Sequence, residues 1–105
     1  TVIGRGGVHV EVDPDIVVHV GRLVPDEVPA LVGELRCAPL LHEHRGRAPL
    51  ALPALAQAVC RLQQAVLAGK VEALELNPVL LTADAAWVLD ALATAAPVTA
   101  PAARA

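Results

Sequence analysis

A stretch near the carboxyl end of the chain, residues 72–91, constrains the fold more than any other part. Apolar and polar residues alternate on both sides of residues 83–84, a pattern typical of an antiparallel hairpin with one half-buried face. A turn at that pair places Asn77 opposite Asp90, with both side chains on one face of the hairpin. Glu75 lies two residues back on the same face. The sequence therefore predicts one carboxamide and two carboxylates gathered on one surface.

The other face of this predicted hairpin is apolar, and we expect it to pack against the core. Its members are Leu76, Pro78, Leu80, Trp87 and Leu89. Carboxylate and carboxamide oxygens suit a hard cation such as Mg²⁺, which takes one or two carboxylates and keeps water or phosphate in its other positions. On residue chemistry alone the alternative is a solvated pair of polar side chains across the two strands.

Composition limits the classes of protein to which the chain can belong. Its 105 residues suffice for one domain, and the 55% hydrophobic content is nearly all Ala, Val and Leu, with one Trp and no Phe or Tyr. A net charge of −3, without a basic stripe or aromatic residues to stack on bases, argues against nucleic-acid binding. We find no apolar run long enough to span a membrane and no signal-peptide pattern.

Two further expectations concern the setting of the protein. Cys37 and Cys60 follow no disulfide or zinc spacing, so we expect both to be reduced, as in a cytoplasmic protein. Cys60 falls beside the apolar stripe of a helix and is interpreted as a packing residue. The sequence begins at Thr1 without a methionine, and we interpret it as a part of a longer protein.

The first strands are predicted in the amino-terminal part of the chain. Residues 8–12 alternate strictly, a turn follows at 13–15, and residues 16–23 form a second strand of an antiparallel hairpin. Ile16, Val18 and Val20 are expected to share one side of that second strand.

Two amphipathic helices follow, each indicated by apolar residues at helical spacing. The first stripe is Val28, Leu31, Val32 and Leu35; the second is Leu52, Leu55, Val59, Leu62 and Val66, and Gly69 ends that helix. The predicted class is α+β, an antiparallel sheet with two helices in the order β-β-α-α-β-β. We assign residues 1–93 to the domain and residues 94–105 to an Ala/Pro-rich, disordered tail.

The loop between the helices, residues 37–49, contains further polar groups. His42, Glu43 and His44 are adjacent in sequence, and without further ligands at zinc spacing they do not predict a transition-metal site. Arg45 lies next to Gly46, where a guanidinium on a glycine turn can bind phosphate. An exposed, solvated arginine is the alternative.

The order of these pieces resembles the carboxyl-terminal subdomain of the ATP-grasp domain in NDP-forming acyl-CoA synthetases, the relatives of ADP-forming acetate–CoA ligase and of succinyl-CoA synthetase β subunits. The resemblance runs from about Gly4 to Ala91. It rests on a glycine pair and strand with acidic residues, on a double leucine followed by an Arg-Gly-Arg loop, and on the two last strands. These motifs are Gly6-Gly7 with Glu11 and Asp15, Leu40-Leu41 with Arg45-Gly46-Arg47, Leu76-Asn77-Pro78, and Leu89-Asp90-Ala91.

The resemblance implies roles for individual residues. Asn77 and Asp90 would hold Mg²⁺ against the phosphates of ATP or ADP, and Glu75 would be a neighbour in the outer shell. Arg45 would face phosphate or order its loop, and Glu11 would orient the first hairpin near the nucleotide. The whole enzyme would interconvert acyl-CoA, ADP and phosphate with a carboxylate, CoA and ATP, using the remaining ATP-grasp subdomain and a CoA-binding domain as partners. Alone, this segment is expected to be inactive.

The chain departs from the family pattern at several positions. The family's usual Asp before its Asn-Pro strand is Glu75, and the Arg that follows its last strand motif is absent, since the chain continues Leu92-Ala93-Thr94. A non-catalytic, regulatory nucleotide-binding module fused to an acetyltransferase is therefore an alternative. A structural domain without a ligand is a third interpretation.

Overall fold

The computed structural model describes residues 1–6, 14–42, 45–69 and 71–97. Its strands and helices, in chain order, are β1 (Val2–Gly4), β2 (Ile16–Val18), α1 (Val28–Val32), α2 (Leu52–Leu67), β3 (Val71–Leu76), β4 (Val79–Leu81), β5 (Ala86–Val88) and β6 (Ala91–Ala95). Short 3-10 turns occupy Pro25–Glu27 and Ala38–Leu41. This arrangement confirms the predicted α+β class with antiparallel strand pairs and two helices.

The first strand pair of the structure joins β2 to the amino-terminal residues of the chain, and β2 is shorter than predicted. β2 pairs antiparallel with β1, with Val2 opposite Val18, and ends at Val18 rather than continuing to residue 23. Val17 is the buried residue of β2, whereas Ile16 and Val18, which share the other side of the strand, are exposed. Val17 is buried because it packs in the cluster of apolar side chains that also includes α1 and α2. The predicted strand at 8–12 lies outside the described residues.

The core lies between the two helices. It includes or contacts every residue of the first predicted stripe, but of the second stripe only Leu52, Leu55 and Val59, whereas Leu62 and Val66 are half-buried outside the core cluster. On the α1 side Val28 and Val32 are each only 1% exposed, and Leu35 is also buried. On the α2 side the buried residues are Ala56, Val59 and Cys60. Cys60 therefore packs in the core as expected, and both cysteines are free thiols. Gly69, with φ at +82°, follows the end of α2, where a left-handed residue commonly closes a helix.

The last four strands form one long interrupted hairpin in the register predicted from the sequence. β4 pairs with β5 near the tip, where Leu80 lies opposite Trp87, and β3 pairs with β6 in the same register farther from it. The Thr82 hydroxyl closes the tip by accepting hydrogen bonds from the backbone N–H of Asp84, at 3.3 Å, and of Ala85, at 3.0 Å. The turn at residues 83–84 is therefore confirmed.

The face by which this hairpin packs changes along its length, contrary to the prediction. In β3 the half-buried residues include Leu74 and Leu76, whereas in β4 they are Val79 and Leu81, which have the opposite parity. Pro78 and the remaining members of the predicted packing face, Leu80, Trp87 and Leu89, are exposed. The change arises because α2 contacts both β3 and β5, so each strand pair presents its own side to the helix.

The carboxyl-terminal boundary also differs from the expectation. β6 extends to Ala95, so residues 94 and 95 pair with β3 instead of beginning a disordered tail at residue 94. Residues 98–105 lie outside the described part of the chain. Among the described helices, none is both long enough and apolar enough to cross a bilayer.

Candidate metal-binding cleft

The polar residues singled out in the sequence do come together, at the interruption between the two strand pairs of the long hairpin. Glu75, Asn77 and Asp90 line an open cleft of about 170 Å³ together with Ala91 and Leu92. The backbone N–H of Asn77 donates a hydrogen bond of 3.0 Å to the carbonyl oxygen of Asp90, which joins the two strands at this point. The Asn77–Pro78 peptide bond is cis. All three polar side chains are exposed to solvent.

In both Asn77 and Asp90, a hydrogen bond engages one of the two terminal polar atoms of the side chain. The Asn77 amide nitrogen Nδ2 donates to Glu75 Oε1 at 3.3 Å, and Asp90 Oδ1 accepts a bond of 2.9 Å from the backbone N–H of Ala91. Among the described residues, no hydrogen bond engages Asn77 Oδ1 or Asp90 Oδ2. These two oxygens are therefore available to bind a cation in the cleft.

The donor set fits Mg²⁺ better than it fits a metal that needs a full protein cage. One carboxylate oxygen and one carboxamide oxygen are hard ligands, and the open cleft leaves space for water and phosphate oxygens. Within the ranges that the structure describes, no group of three or more His, Cys, Asp and Glu side chains converges on a common point. A cation held here would therefore keep much of its coordination shell outside the protein.

The other predicted site residues are placed differently. Arg45 has φ at +50° and is exposed on a turn with Gly46, whose φ is +77°, so the predicted glycine turn is present. Arg45 does not line the cleft of Asn77 and Asp90. Glu11, the second candidate for nucleotide or phosphate binding, lies outside the described residues, as do Glu43 and His44 of the loop.

A second cleft, of about 300 Å³, lies beside the first strand pair and was missed by sequence reasoning. Its lining is Arg5, Asp15, Arg36, Cys37, Pro39 and Leu40. The Asp15 carboxylate is buried there, and it accepts hydrogen bonds of 2.8 Å from the backbone N–H groups of Arg36 and Cys37. Arg36 Nη2 donates to the carbonyl oxygen of Pro14 at 2.8 Å. Asp15 thus fixes the backbone between α1 and the following 3-10 turn.

The local electrostatics follow from these contacts. Burial raises the pKa of Asp15, but the backbone donors of Arg36 and Cys37 outweigh it, and with the positive charge of Arg36 they leave the pKa below its usual value of 3.8. The pKa of the Cys37 thiol is raised, mainly by burial and then by the neighbouring Asp15 carboxylate. Asp15 belongs to the first motif of the resemblance, but no local pattern could have revealed its hydrogen-bond partners, which lie 21 and 22 residues away in the chain.

The chain is similar to a subunit of an acetate–CoA ligase and to solved structures of an acetyl-coenzyme A synthetase. The chain is 26% identical over 89 residues to the β subunit of acetate–CoA ligase (ADP-forming) I of Pyrococcus furiosus, an alignment that covers 84% of this chain and 38% of that subunit. It superposes with a TM-score of 0.78 and 26% identity on the dinucleotide-forming acetyl-coenzyme A synthetase 1 of Candidatus Korarchaeum cryptofilum in complex with coenzyme A and acetyl-coenzyme A, covering 90% of this chain and 42% of that one.

A second structure of the Korarchaeum enzyme, bound to coenzyme A and Mg-AMPPCP, superposes with a TM-score of 0.80 at 26% identity, covering 90% of this chain and 45% of that one. The chain therefore spans less than half the length of each of these relatives. The family model of the ATP-grasp domain matches residues 1–94. With nearly the whole described chain inside that match, the protein belongs to the ATP-grasp family.

Proposed function

We propose that this chain is the Mg²⁺–nucleotide-binding part of an ATP-grasp acyl-CoA synthetase of the ADP-forming type. The observation that carries the proposal is the juxtaposition of Asn77 and Asp90, which a backbone hydrogen bond of 3.0 Å holds opposite each other at an open cleft. The likeness to an acetate–CoA ligase subunit, and to a synthetase with Mg-AMPPCP bound, supports the choice of cation and nucleotide.

The reaction of the whole enzyme would be the reversible conversion of acyl-CoA, ADP and phosphate into a carboxylate, CoA and ATP. This segment would supply only one side of the nucleotide site, since it spans 38% of the related ligase subunit. The remaining ATP-grasp subdomain and a CoA-binding domain, in the same chain or in another subunit, would supply the rest. The segment alone would then bind without turning over, in a cytoplasmic setting.

At the cleft, the Asp90 carboxylate would bind the cation through Oδ2 and Asn77 would bind it through the carboxamide oxygen Oδ1. When bound, Mg²⁺ supplies charge neutralisation and alignment for the phosphoryl group. The hairpin contributes rigidity, because the ladders of β3–β6 and β4–β5 flank the two residues on both sides. Arg45 would contact phosphate from its glycine turn, and Glu11 would orient the first strands near the nucleotide.

The test is the substitution Asp90→Ala in the complete protein, with Mg·ATP-dependent acyl-CoA formation as the measurement. Loss of the carboxylate is expected to abolish turnover, because the cation would lose its one charged ligand. Asp84→Ala removes an exposed carboxylate at the tip of the same hairpin and is the matched control. Unchanged turnover in the Asp90 variant would contradict the proposed role.

One observation favours a second function, a regulatory nucleotide-binding module. Leu92, exposed and apolar, lines the cleft in the segment after the last strand motif, from which the Arg of the family pattern is absent. A module of this kind would bind nucleotide without forming acyl-CoA. Nucleotide binding that depends on Asp90 in a complete protein without ligase turnover, together with an acetyltransferase domain in the same open reading frame, would establish this function instead.

A further inference from the structure

We propose that Glu75 is a positioning residue that fixes the carboxamide of Asn77 with its oxygen toward the cation. The inference rests on the proposed metal site and adds to it an explanation of how the Asn77 carboxamide is oriented. It starts from the hydrogen bond of 3.3 Å between Asn77 Nδ2 and Glu75 Oε1. In this proposal Glu75 orients a ligand of the cation but does not bind the cation itself.

A carboxamide has two chemically opposite ends, and only one of them suits a cation. The oxygen of Asn77 is an acceptor and can bind Mg²⁺, whereas the NH₂ group carries two donors and would repel it. Rotation of the side-chain amide by half a turn exchanges the two ends. A partner that recognises only the NH₂ end therefore decides which end the cleft receives.

Glu75 is such a partner because an ionised carboxylate only accepts hydrogen bonds. It can bind the NH₂ end of Asn77 but not the oxygen end. Its own position is fixed by regular pairing, since Glu75 lies opposite Leu92 in the β3–β6 ladder. Asn77 comes two residues farther along, directly after the end of β3, and its Nδ2 reaches Glu75 Oε1 from there.

Asp90 needs no neighbouring side chain to orient it toward the cation. Its Oδ1 is held by the backbone N–H of Ala91, at 2.9 Å, and its two oxygens are chemically equivalent, so either orientation presents an oxygen to the cleft. The asymmetry of the amide thus makes Asn77, and not Asp90, the ligand whose orientation depends on a neighbour. Removal of the Glu75 side chain should therefore reduce metal affinity only through the contribution of Asn77.

Three substitutions of Glu75 separate positioning from direct binding. Glu75→Ala removes the acceptor, and metal affinity should fall about tenfold, the lower end of the range for an outer-shell partner. Glu75→Gln keeps a carbonyl oxygen at the same reach, but its NH₂ group can also donate to the Asn77 oxygen in the reversed orientation. Affinity should therefore fall in this variant, but less than in Glu75→Ala. Glu75→Asp is one methylene shorter, and because the present bond of 3.3 Å is already long, it should behave like the Ala variant.

The experiment is a titration of the complete protein with Mn²⁺, followed by water-proton relaxation, on the three Glu75 variants and on Asn77→Ala and Asp90→Ala. Glu72→Ala, an exposed glutamate of the same strand, is the matched control and should bind like the parent. A second readout needs no metal: in protein labelled with ¹⁵N-asparagine, the Asn77 NH₂ resonances should shift in Glu75→Ala and shift less in Glu75→Gln.

The outcomes distinguish the two proposals. Weaker binding in Asn77→Ala and Asp90→Ala, with a larger loss in Glu75→Ala than in Glu75→Gln, supports the positioning role. If Asn77→Ala and Asp90→Ala weaken binding but Glu75→Ala does not, the metal site stands and the positioning role is overturned. Equal losses in Glu75→Ala and Glu75→Gln would also overturn it, because they would assign Glu75 as a ligand or a source of charge. Undiminished binding in Asn77→Ala and Asp90→Ala would overturn the metal site itself.

Discussion

The side chain of Gln63 binds both backbone polar groups of Leu23. Its oxygen Oε1 accepts a hydrogen bond of 2.7 Å from the Leu23 N–H, and its nitrogen Nε2 donates one of 2.8 Å to the Leu23 carbonyl oxygen. Leu23 is only 2% exposed and belongs to no strand or helix, so its backbone groups have no ladder to join. Gln63 on α2 therefore substitutes for secondary structure in the segment that leads from β2 to α1.

Substitution of Gln63 by Ala should destabilise the fold through these two groups. The variant leaves the Leu23 N–H without a partner and the Leu23 carbonyl oxygen with only the weak bond of 3.7 Å from the Cys60 thiol. This loss should cost about 1–3 kcal/mol in the free energy of unfolding, even though Ala is the better helix former. Urea denaturation followed by circular dichroism measures the change. Gln64→Ala, at the next and exposed position of α2, is the control and should have no destabilising effect. Equal stability of the two variants would contradict the role of the Gln63 bonds.

A methyl group at Gly4 should interfere with the first strand pair. A Cβ there would lie 2.8 Å from Ile16 Cγ2 and 3.2 Å from the backbone oxygen of Asp15. The exposed Ile16 side chain can move, but the Asp15 oxygen accepts the hydrogen bond from Arg5 N and is held in place.

Gly4→Ala is therefore expected to lower the free energy of unfolding by about 1 kcal/mol, as modest overpacking does. Gly6→Ala meets nothing within 4 Å and should be neutral or slightly stabilising. Thermal unfolding of both variants decides the comparison, and a Gly4 variant as stable as the Gly6 variant would show that β1 and β2 are farther apart.

Asp15 should make stability depend on pH in the acid range. Its pKa in the folded protein is lowered below 3.8, so the folded state binds this proton less readily than the unfolded state does. The contribution is fully present above the unfolded value of about 3.8 and is lost as the pH falls below it, through the lower folded pKa.

Asp15→Asn should therefore be less stable than the parent at neutral pH and should lose less stability on acidification to pH 3. Denaturant titrations at a series of pH values measure both effects. Asp26→Asn, an exposed carboxylate in the turn before α1, is the comparison that should keep the parent's acid dependence. An Asp15 variant with the parent's full acid dependence would show that other carboxylates cause it.

The exposed face of β4 and β5 gives a direct test of how the hairpin packs. Trp87, which is 58% exposed and is the one Trp of the chain, should fluoresce like a solvated indole and be readily quenched by acrylamide. Leu80→Ala should change the free energy of unfolding by about 0.5 kcal/mol or less, as for a surface substitution. Leu81→Ala, on the half-buried side, should cost more. A protected Trp87 with a costly Leu80→Ala would instead favour the face predicted from the sequence.

The candidate site was predictable because it depends on local information. The alternation on each strand and the turn at residues 83–84 fix the register, and the register alone brings Asn77 opposite Asp90. The helical stripes were predictable for the same reason, since spacing along one element determines which side chains share a face. Neither result needed knowledge of what the element packs against.

The sequence by itself thus determined the order of the elements, the hairpin register and the meeting of Asn77 with Asp90. The tertiary structure alone decided which side of each strand is packed. Val17 rather than its neighbours is buried in β2, and the half-buried side of the long hairpin changes between Leu76 and Val79 because α2 contacts both strand pairs. It also decided the roles of Asp15 and Gln63, whose partners are distant in sequence. Short-range periodicity specifies a face but not its partner, and the partner is chosen only when the elements pack together.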